Sequence, residues 1–121
     1  MDKLIYKTFV WPLNPHSYKE EAVREGVYEK NEDGQDVFQG MGLLKRIITG
    51  SGILQGETAL EDYKALEALF TLTDPGNLIH PMFGIRYCYF TGLEMTQEPK
   101  EDCISYRFEF REAMTNGYLP K

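Results

Sequence analysis

The sequence has few of the residues that build metal centres, disulfide frameworks and covalent catalytic sites. Its 121 residues include two cysteines, Cys88 and Cys103, and two histidines, His16 and His80. The cysteines form no CxxC pair, and neither histidine has a second ligand at helical or hairpin spacing, so zinc and thioredoxin-like sites are not expected. Buried free thiols are the first expectation, and one cross-strand disulfide is the alternative. We predict neither a metal nor a cofactor.

Basic residues and long apolar runs are also scarce. The chain has 13 Lys and Arg against 19 Asp and Glu, a net charge of −6. This balance argues against a nucleic-acid partner, because phosphate backbones are bound mainly by clustered Lys and Arg. Lys45–Arg46, beside a glycine loop, is the local feature that favours DNA. Charges at Lys3 and Lys7 interrupt any signal-peptide core, and no run approaches the roughly 18 apolar residues of a membrane span. We expect a soluble protein made in the cytoplasm, with no membrane partner.

Catalytic motifs are missing as well. The sequence has no GxSxG motif and no local nucleophile signature around either cysteine. Adjacent carboxylates such as Glu20–Glu21 lie in charged segments that are typical of a solvated surface. Gly50–Ser51–Gly52 lacks the spacing of a phosphate loop, so a turn or bulge is expected there. The sequence therefore predicts a protein that is not an enzyme. A small enzyme or ligand-binding protein, with Tyr87, Tyr89 and Tyr106 lining a pocket between helix and sheet, is the alternative.

Aromatic residues, by contrast, are abundant. One Trp, eight Tyr and seven Phe make up 13% of the chain, and such rings favour sheets and interfaces. Residues 104–111 alternate strictly, which predicts a half-buried strand with Ile104, Tyr106, Phe108 and Phe110 facing inward. Length and pattern together predict a single α+β domain over residues 1–121. It would be mainly an antiparallel β-sheet or a partly open barrel, with one amphipathic helix packed on it.

The other elements follow from turn and capping signals. Thr58 and Glu61 match a capping box, and the apolar spacing after them predicts a helix of about thirteen residues that ends before Asp74–Pro75–Gly76. His80 is expected to cap a connecting loop over residues 77–81. Strands are predicted over residues 4–11, 17–30, 35–40, 43–49 and 85–91, with a hairpin turn at 31–34 and a bend or bulge at 40–42.

Two segments are candidates for contact with a partner. Trp11, the single tryptophan, lies beside Pro12 and Pro15. It is either an interface anchor, since Trp is enriched in binding hot spots, or a core residue pinned by its prolines. The C-terminal segment 113–121 contains Asn116–Gly117 and Pro120, which predicts that this segment becomes ordered only when it binds a partner.

Several motifs occur in a fixed order over roughly residues 5 to 112. They are Trp11-Pro12-x-Asn14-Pro15, Phe38-x-Gly40-x-Gly42, Arg46-x-Ile48-Thr49-Gly50-x-Gly52 with Gly56, Pro75-Gly76-x-Leu78-x-His80-Pro81, and Tyr106-x-Phe108-x-Phe110-x-Glu112. Together they resemble the motifs of small tail proteins from contractile-tail clusters of phages and prophages. They are more distantly similar to the N-terminal domain of the DNA circularisation proteins of Mu-like phages.

The resemblance implies a structural subunit at the tube end or baseplate hub of a contractile tail or tailocin, without catalytic residues. The implied partners are other tail proteins (tube, hub or baseplate subunits) in a ring-forming oligomer. The implied location is the bacterial host cytoplasm during assembly and then the tail or tailocin particle. The candidate partner-binding residues are Trp11, Asn14, Pro15, Tyr18 and Tyr118, in the segments 11–18 and 113–121.

Overall fold

The computed structural model describes residues 3–30 and 36–113, and the side chains of these residues outside 24–30 and 36–44. Within these residues, seven antiparallel strands form one sheet, in the order β2-β1-β5-β6-β7-β4-β3. The elements in chain order are β1 (Ile5–Tyr6), β2 (Phe9–Val10), β3 (Ser17–Lys30), β4 (Asp36–Gln55), α1 (Ala59–Phe70), β5 (Gly76–His80), β6 (Gly84–Met95) and β7 (Cys103–Glu112). The predicted antiparallel sheet with one packed helix is confirmed for the described residues.

The last strand behaves as its alternation predicts. Ile104, Tyr106, Phe108 and Phe110 are buried on the inner face of the sheet, where they join the main hydrophobic core. Phe110 stacks on Phe90 of β6 with a ring-centroid distance of 4.6 Å. The strict period of two places one whole set of rings on the core side, which is why this strand could be recognised from sequence alone.

The sheet is strongly curled, although it is not closed. Tyr18 on β3 lies four strands away from β5 in the sheet order, which is about 19 Å across a flat sheet. Its ring nevertheless contacts the ring of His80, at the end of β5, with a centroid distance of 4.3 Å. The inner face is therefore a concave cavity filled by aromatic rings, and α1 packs over it. The architecture lies between the two predicted forms, an open sheet and a partly open barrel.

Gly50 and Gly52 let the rings of β7 pack closely against β4, and the turn or bulge predicted for them is wrong. Both lie in the middle of β4, paired with β3 or β7. A Cβ atom at Gly50 would lie 2.5 Å from the ring of Phe108, and one at Gly52 would lie 2.7 Å from the hydroxyl of Tyr106. Glycine is needed because the rings of β7 occupy the volume of the missing side chains. The ring positions depend on β7, more than fifty residues later, so the local sequence could not show this.

The segment predicted as a loop over residues 77–81 is also different, because it forms most of strand β5. β5 pairs with β1 on one side and with β6 on the other. Leu78 at its centre is fully buried. The strand is short and flanked by prolines, and its five residues show no clear apolar–polar alternation. Its strand conformation is set by pairing with β6, which follows directly after a turn, and with β1, which lies far away in the chain.

The helix exists as predicted, but its capping box does not form. α1 begins at Ala59, and Thr58 makes no side-chain hydrogen bond to the backbone of the first turn. Its hydroxyl donates instead to the carboxylate of Asp62, at 3.0 Å. The ψ of Thr58 is 6°, outside the extended region that aims a cap side chain at the first amides. Ala59, Tyr63 and Leu66 form the buried stripe. Within the described residues, no helix has the length and apolar character to cross a lipid bilayer.

The predicted irregularity at residues 40–42 is confirmed. Glu25 pairs with Leu43 and Val27 pairs with Gln39, so three residues of β4 lie opposite the single residue Gly26 of β3. The chain continues through this bulge as one strand rather than two. The hairpin turn predicted at residues 31–34 lies outside the described residues.

Candidate assembly surface

Trp11 is a core residue in this structure. Its side chain is fully buried, and its Nε1–H donates to the hydroxyl of Tyr106 at 2.9 Å. Its ring meets that of Phe9 edge to face, with a centroid distance of 5.0 Å. Of the two interpretations left open by the sequence, the pinned core tryptophan is the one that the fold contains. The exposed apolar side chain of this segment is Leu13.

Asn14 and Pro15 hold the same segment against the sheet. The Asn14 Oδ1 accepts a hydrogen bond from the backbone N–H of Leu4 at 2.9 Å. The Cα of Pro15 lies 3.1 Å from the position that a Cβ of Gly52 would occupy. Both residues are partly buried. Their role in binding a partner stays a prediction, while their role in fixing residues 11–15 is visible in the structure.

Tyr18 belongs to a polar group on the inner face that connects β3 with β6. Its hydroxyl donates to Glu20 Oε2 at 2.9 Å, and Glu20 Oε1 accepts from Arg86 of β6 at 3.4 Å. Burial raises the pKa of Tyr18, and the Glu20 carboxylate raises it further. The phenol therefore stays protonated and can keep donating. Tyr18 is thus fixed in place by its hydrogen bond to Glu20. Tyr118, the other candidate tyrosine, lies outside the described residues.

A second ion pair lies on the same face, between β4 and β7. The Arg46 Nη1 contacts both carboxylate oxygens of Glu112 at 3.1 Å, and the Glu112 side chain is fully buried. Burial raises the pKa of the Cys88 thiol to about 12, and the negative charge of the Glu112 carboxylate contributes to this rise. The thiol is therefore protonated at neutral pH and is not an activated nucleophile. Both cysteines are free, with Cys88 buried and Cys103 partly buried.

His80 is a cap, as predicted, but it caps the turn between β5 and β6 rather than a loop over residues 77–81, which form strand β5 up to His80 itself. Its Nδ1 accepts the backbone N–H groups of Met82, at 3.0 Å, and Phe83, at 3.2 Å. An Nδ1 atom that accepts two hydrogen bonds must be unprotonated, so the neutral ring carries its proton on Nε2. The cap holds Met82 at the exposed tip of this turn.

The most prominent element is a two-stranded projection, which we call the arm (residues 22–30 of β3 and 36–46 of β4). β7 pairs with β4 only from Ile47 to Gln55. Beyond that point the two strands of the arm pair with each other, from Ala22–Arg46 to Lys30–Asp36, and with no third strand in the described part of the chain. A two-stranded ribbon is marginally stable alone in water. The arm is therefore the element of this fold that most needs a further surface.

The ion pairs described above fix the base of the arm. Arg46 is the last arm residue of β4 and is bound to Glu112, while Glu20, just before the arm on β3, is bound to Arg86. The sequence predicted the long charged strand but did not identify it as a projection. The signal was present, because residues 17–36 contain seven acidic and three basic residues and few apolar ones, which is not the pattern of a strand with one buried face.

The described residues do not gather a catalytic or ligand site where the sequence suggested one. Tyr106 faces the core, whereas Tyr87 and Tyr89 lie on the opposite face of the sheet. Arg46, considered as a DNA contact, is engaged by Glu112. In the described ranges, no group of three or more His, Cys, Asp and Glu side chains has the arrangement of a metal site. An open groove of about 610 Å³ between α1 and the sheet, near Phe70 and Leu93, contains Glu94 and Arg107, which are paired with each other.

Comparison with known proteins gives two kinds of match. A family model described as DNA circularisation protein N-terminus matches residues 18–87. A chain in the virion of a native gene transfer agent particle aligns with a TM-score of 0.57 and 18% identity, over 90% of this chain and 85% of that chain. A chain in the tail of an empty gene transfer agent particle with C6 symmetry aligns with a TM-score of 0.54 and 19% identity, over 84% and 78%. No curated protein gives a significant match.

Proposed function

Because the chain belongs to the family of DNA circularisation protein N-termini, we propose that it is a structural subunit of a phage-type contractile tail or tailocin. It acts by protein–protein assembly and not by catalysis. Its place is the tube end or baseplate hub, where it forms a ring with other copies and contacts tube, hub or baseplate subunits. It assembles in the host cytoplasm and ends in the particle.

The observation that carries this proposal is the arm. In the described part of the chain, its strands extend past β7 with no third strand beside them, and a ribbon of this kind gains stability by packing on another surface. The likeness of the fold to chains in gene transfer agent virions and tails supports such a role, because those chains function inside assembled particles. The net charge of −6 favours protein partners over the phosphate backbone.

Light scattering with size-exclusion chromatography tests the proposal. The wild-type protein should form rings or higher assemblies, alone at high concentration or when mixed with the tube and hub subunits of the same gene cluster. Negative-stain electron microscopy would show the rings. A protein that stays monomeric alone and with every candidate tail subunit would overturn the proposal.

An arm-deleted variant makes the test specific. Val23 pairs directly with Lys45, so replacing residues 24–44 by Asn-Gly closes the hairpin with a two-residue turn of the favoured type. This variant should keep a cooperative thermal transition and lose assembly. Lys64→Ala, on the exposed face of α1, is the matched control and should assemble like the wild type. Assembly of the arm-deleted variant at wild-type concentration would show that the arm is not the assembly element.

A further inference from the structure

The open side of the curled sheet is bridged by side chains and not by backbone hydrogen bonds. In the described residues, the backbone of β3 pairs only with that of β4. Across the opening, the ring of Tyr18 contacts two rings of the β5–β6 turn, with centroid distances of 4.3 Å to His80 and 5.9 Å to Phe83. Beside these rings, Arg86 donates to the carboxylate of Glu20 at 3.4 Å. We call these five residues the seam.

His80 connects the seam to the backbone of the turn. Its ring contacts that of Phe83, with a centroid distance of 4.6 Å, as well as that of Tyr18. Its Nδ1 accepts the backbone N–H groups of Met82 and Phe83. One imidazole therefore holds both the turn and the rings that face Tyr18. The two hydrogen bonds need an unprotonated Nδ1, because a nitrogen that carries a proton cannot accept.

A proton on Nδ1 conflicts with these contacts. It would face two N–H donors at 3.0 and 3.2 Å, so either the ring or the turn must move. A movement of the ring displaces His80 from Tyr18, and a movement of the turn displaces Phe83 from Tyr18. The cap and the bridge across the opening are therefore coupled through one titratable group.

The charged groups around His80 lie on both sides of the seam. Glu20 and the protonated phenol of Tyr18 face it from β3, and Arg86 faces it from β6. A charged imidazole would be repelled by Arg86. It would be attracted to Glu20, but this carboxylate already binds both Tyr18 and Arg86. Burial lowers the pKa of His80, Arg86 lowers it further and Glu20 opposes them, so the ring is neutral at pH 7 and titrates below its ordinary value of about 6.5.

We propose that the seam is an acid-sensitive conformational switch: a neutral His80 holds β3 against the β5–β6 turn, and a charged His80 releases it. The arm begins at Ala22, two residues after Glu20. The switch therefore controls how firmly the β3 side of the arm is held at its base. The Arg46–Glu112 ion pair holds the β4 side in both states, because it does not involve His80.

The consequence for assembly rests on the proposed function. An arm that is fixed at its base loses less conformational entropy when it packs on another subunit than an arm that moves freely. The closed seam should therefore favour assembly, and acid should weaken it. The opening of the seam itself is a property of the single chain and can be measured without assembly.

NMR spectroscopy, at a concentration where the protein is monomeric, tests the switch directly. The imidazole signals of His80 report its protonation between pH 7.5 and pH 5. Nuclear Overhauser contacts should join the ring of Tyr18 to those of His80 and Phe83 at pH 7.5, and they should weaken with the midpoint of the His80 titration. Hydrogen-exchange protection of the Met82 and Phe83 amides, taken relative to the intrinsic rate at each pH, should fall about tenfold as they lose their acceptor.

His80→Asn makes the test specific. The asparagine Oδ1 lies as many bonds from the backbone as the histidine Nδ1, and it can accept the same two N–H groups without titrating. The amides of Met82 and Phe83 should therefore keep their protection at pH 5 in this variant. His16→Asn is the matched control at the exposed histidine, and it should behave like the wild type.

Light scattering at the same two pH values tests the consequence for assembly. The concentration for half-assembly should rise at least about threefold at pH 5 for the wild type and clearly less for His80→Asn. Tyr18 contacts that persist while His80 is charged, or a His80 that stays neutral at pH 5, would show that the switch is wrong while the proposed function stands. Equal pH dependence of assembly in both proteins would overturn the link to assembly. A wild type that assembles at neither pH would overturn the proposed function, and the NMR titration would still decide the switch.

Discussion

The hydrogen bond between Trp11 and Tyr106 offers a sharp test of the core. Replacing Tyr106 by phenylalanine removes one hydroxyl and keeps the ring. The indole Nε1–H of Trp11 then loses its acceptor at 2.9 Å. Because Trp11 is fully buried, water cannot replace the lost acceptor without entering the core.

The expected cost follows from that burial. A buried donor left without a partner costs about 1 to 3 kcal/mol in the free energy of unfolding. The hydroxyl also lies 2.7 Å from the place where a Cβ of Gly52 would be, so its removal leaves a small void and no relief of strain. We expect Tyr106→Phe to lose about 2 kcal/mol, which is roughly 6 to 10 °C in melting temperature for a domain of this size.

The single tryptophan makes the assay direct. Urea unfolding followed by Trp11 fluorescence reports on the environment of the altered bond itself, and circular dichroism of the same samples checks that the transition remains two-state. A double-mutant cycle with Trp11→Phe, followed by circular dichroism alone, measures the coupling between the two side chains.

Two results would refute this reasoning. One is a Tyr106→Phe protein as stable as the wild type, and the other is a double-mutant cycle without coupling energy. The control is Tyr89→Phe, which removes a phenolic hydroxyl from a side chain that is 42% exposed. It should change the free energy of unfolding by less than about 0.5 kcal/mol.

Three further predictions concern the glycine contact, the buried ion pair and the histidine cap. Gly50→Ala should destabilise the fold by about 1 to 3 kcal/mol, because its Cβ meets a ring and a backbone oxygen at 2.5 Å. Gly92→Ala, whose Cβ meets a side chain at 3.2 Å, should cost clearly less in the same denaturation assay, and equal losses would contradict the packing argument. Arg46→Met should cost about 2 to 4 kcal/mol, since it leaves the fully buried Glu112 carboxylate unpaired, whereas Arg46→Met with Glu112→Leu should recover most of that loss. Burial lowers the pKa of His80 in the folded protein. The neutral His80 ring therefore stabilises the fold above the unfolded pKa of about 6.5, and this stabilisation is lost as the pH falls through the folded pKa. A His80→Gln protein that keeps the wild-type pH dependence of stability between pH 5 and 7 would refute the role of the cap.

Much of the fold could be predicted because its signals are local. The alternation in β7 and the 3.6-residue spacing in α1 both repeat within about ten residues, and a repeating pattern identifies the buried face without knowledge of the partner. The His80 cap was also local, since its acceptor bonds two amides within three residues along the chain. Family membership had the same basis, in short motifs read in order along the chain.

Where the sequence misled or left alternatives open, contacts across the sheet or the exact backbone conformation decided the outcome. Gly50 was interpreted as a turn because glycine is a common turn residue, but its reason is the ring of Phe108 across the sheet. Thr58 had the right neighbour for a capping box, yet its backbone angle sent the hydroxyl to Asp62 instead. Trp11 could be read as surface or core until the position of Tyr106 was known.

The sequence by itself determined the type of fold, the family and the absence of recognisable catalytic motifs, because these depend on composition and on patterns within short windows. Tertiary structure alone decided the curl of the sheet, the burial of Trp11 and the projection of the arm beyond β7. Each of these joins residues that lie far apart in the chain, and strand order and register bring them together. Local preferences carry no information about which distant strand becomes the neighbour.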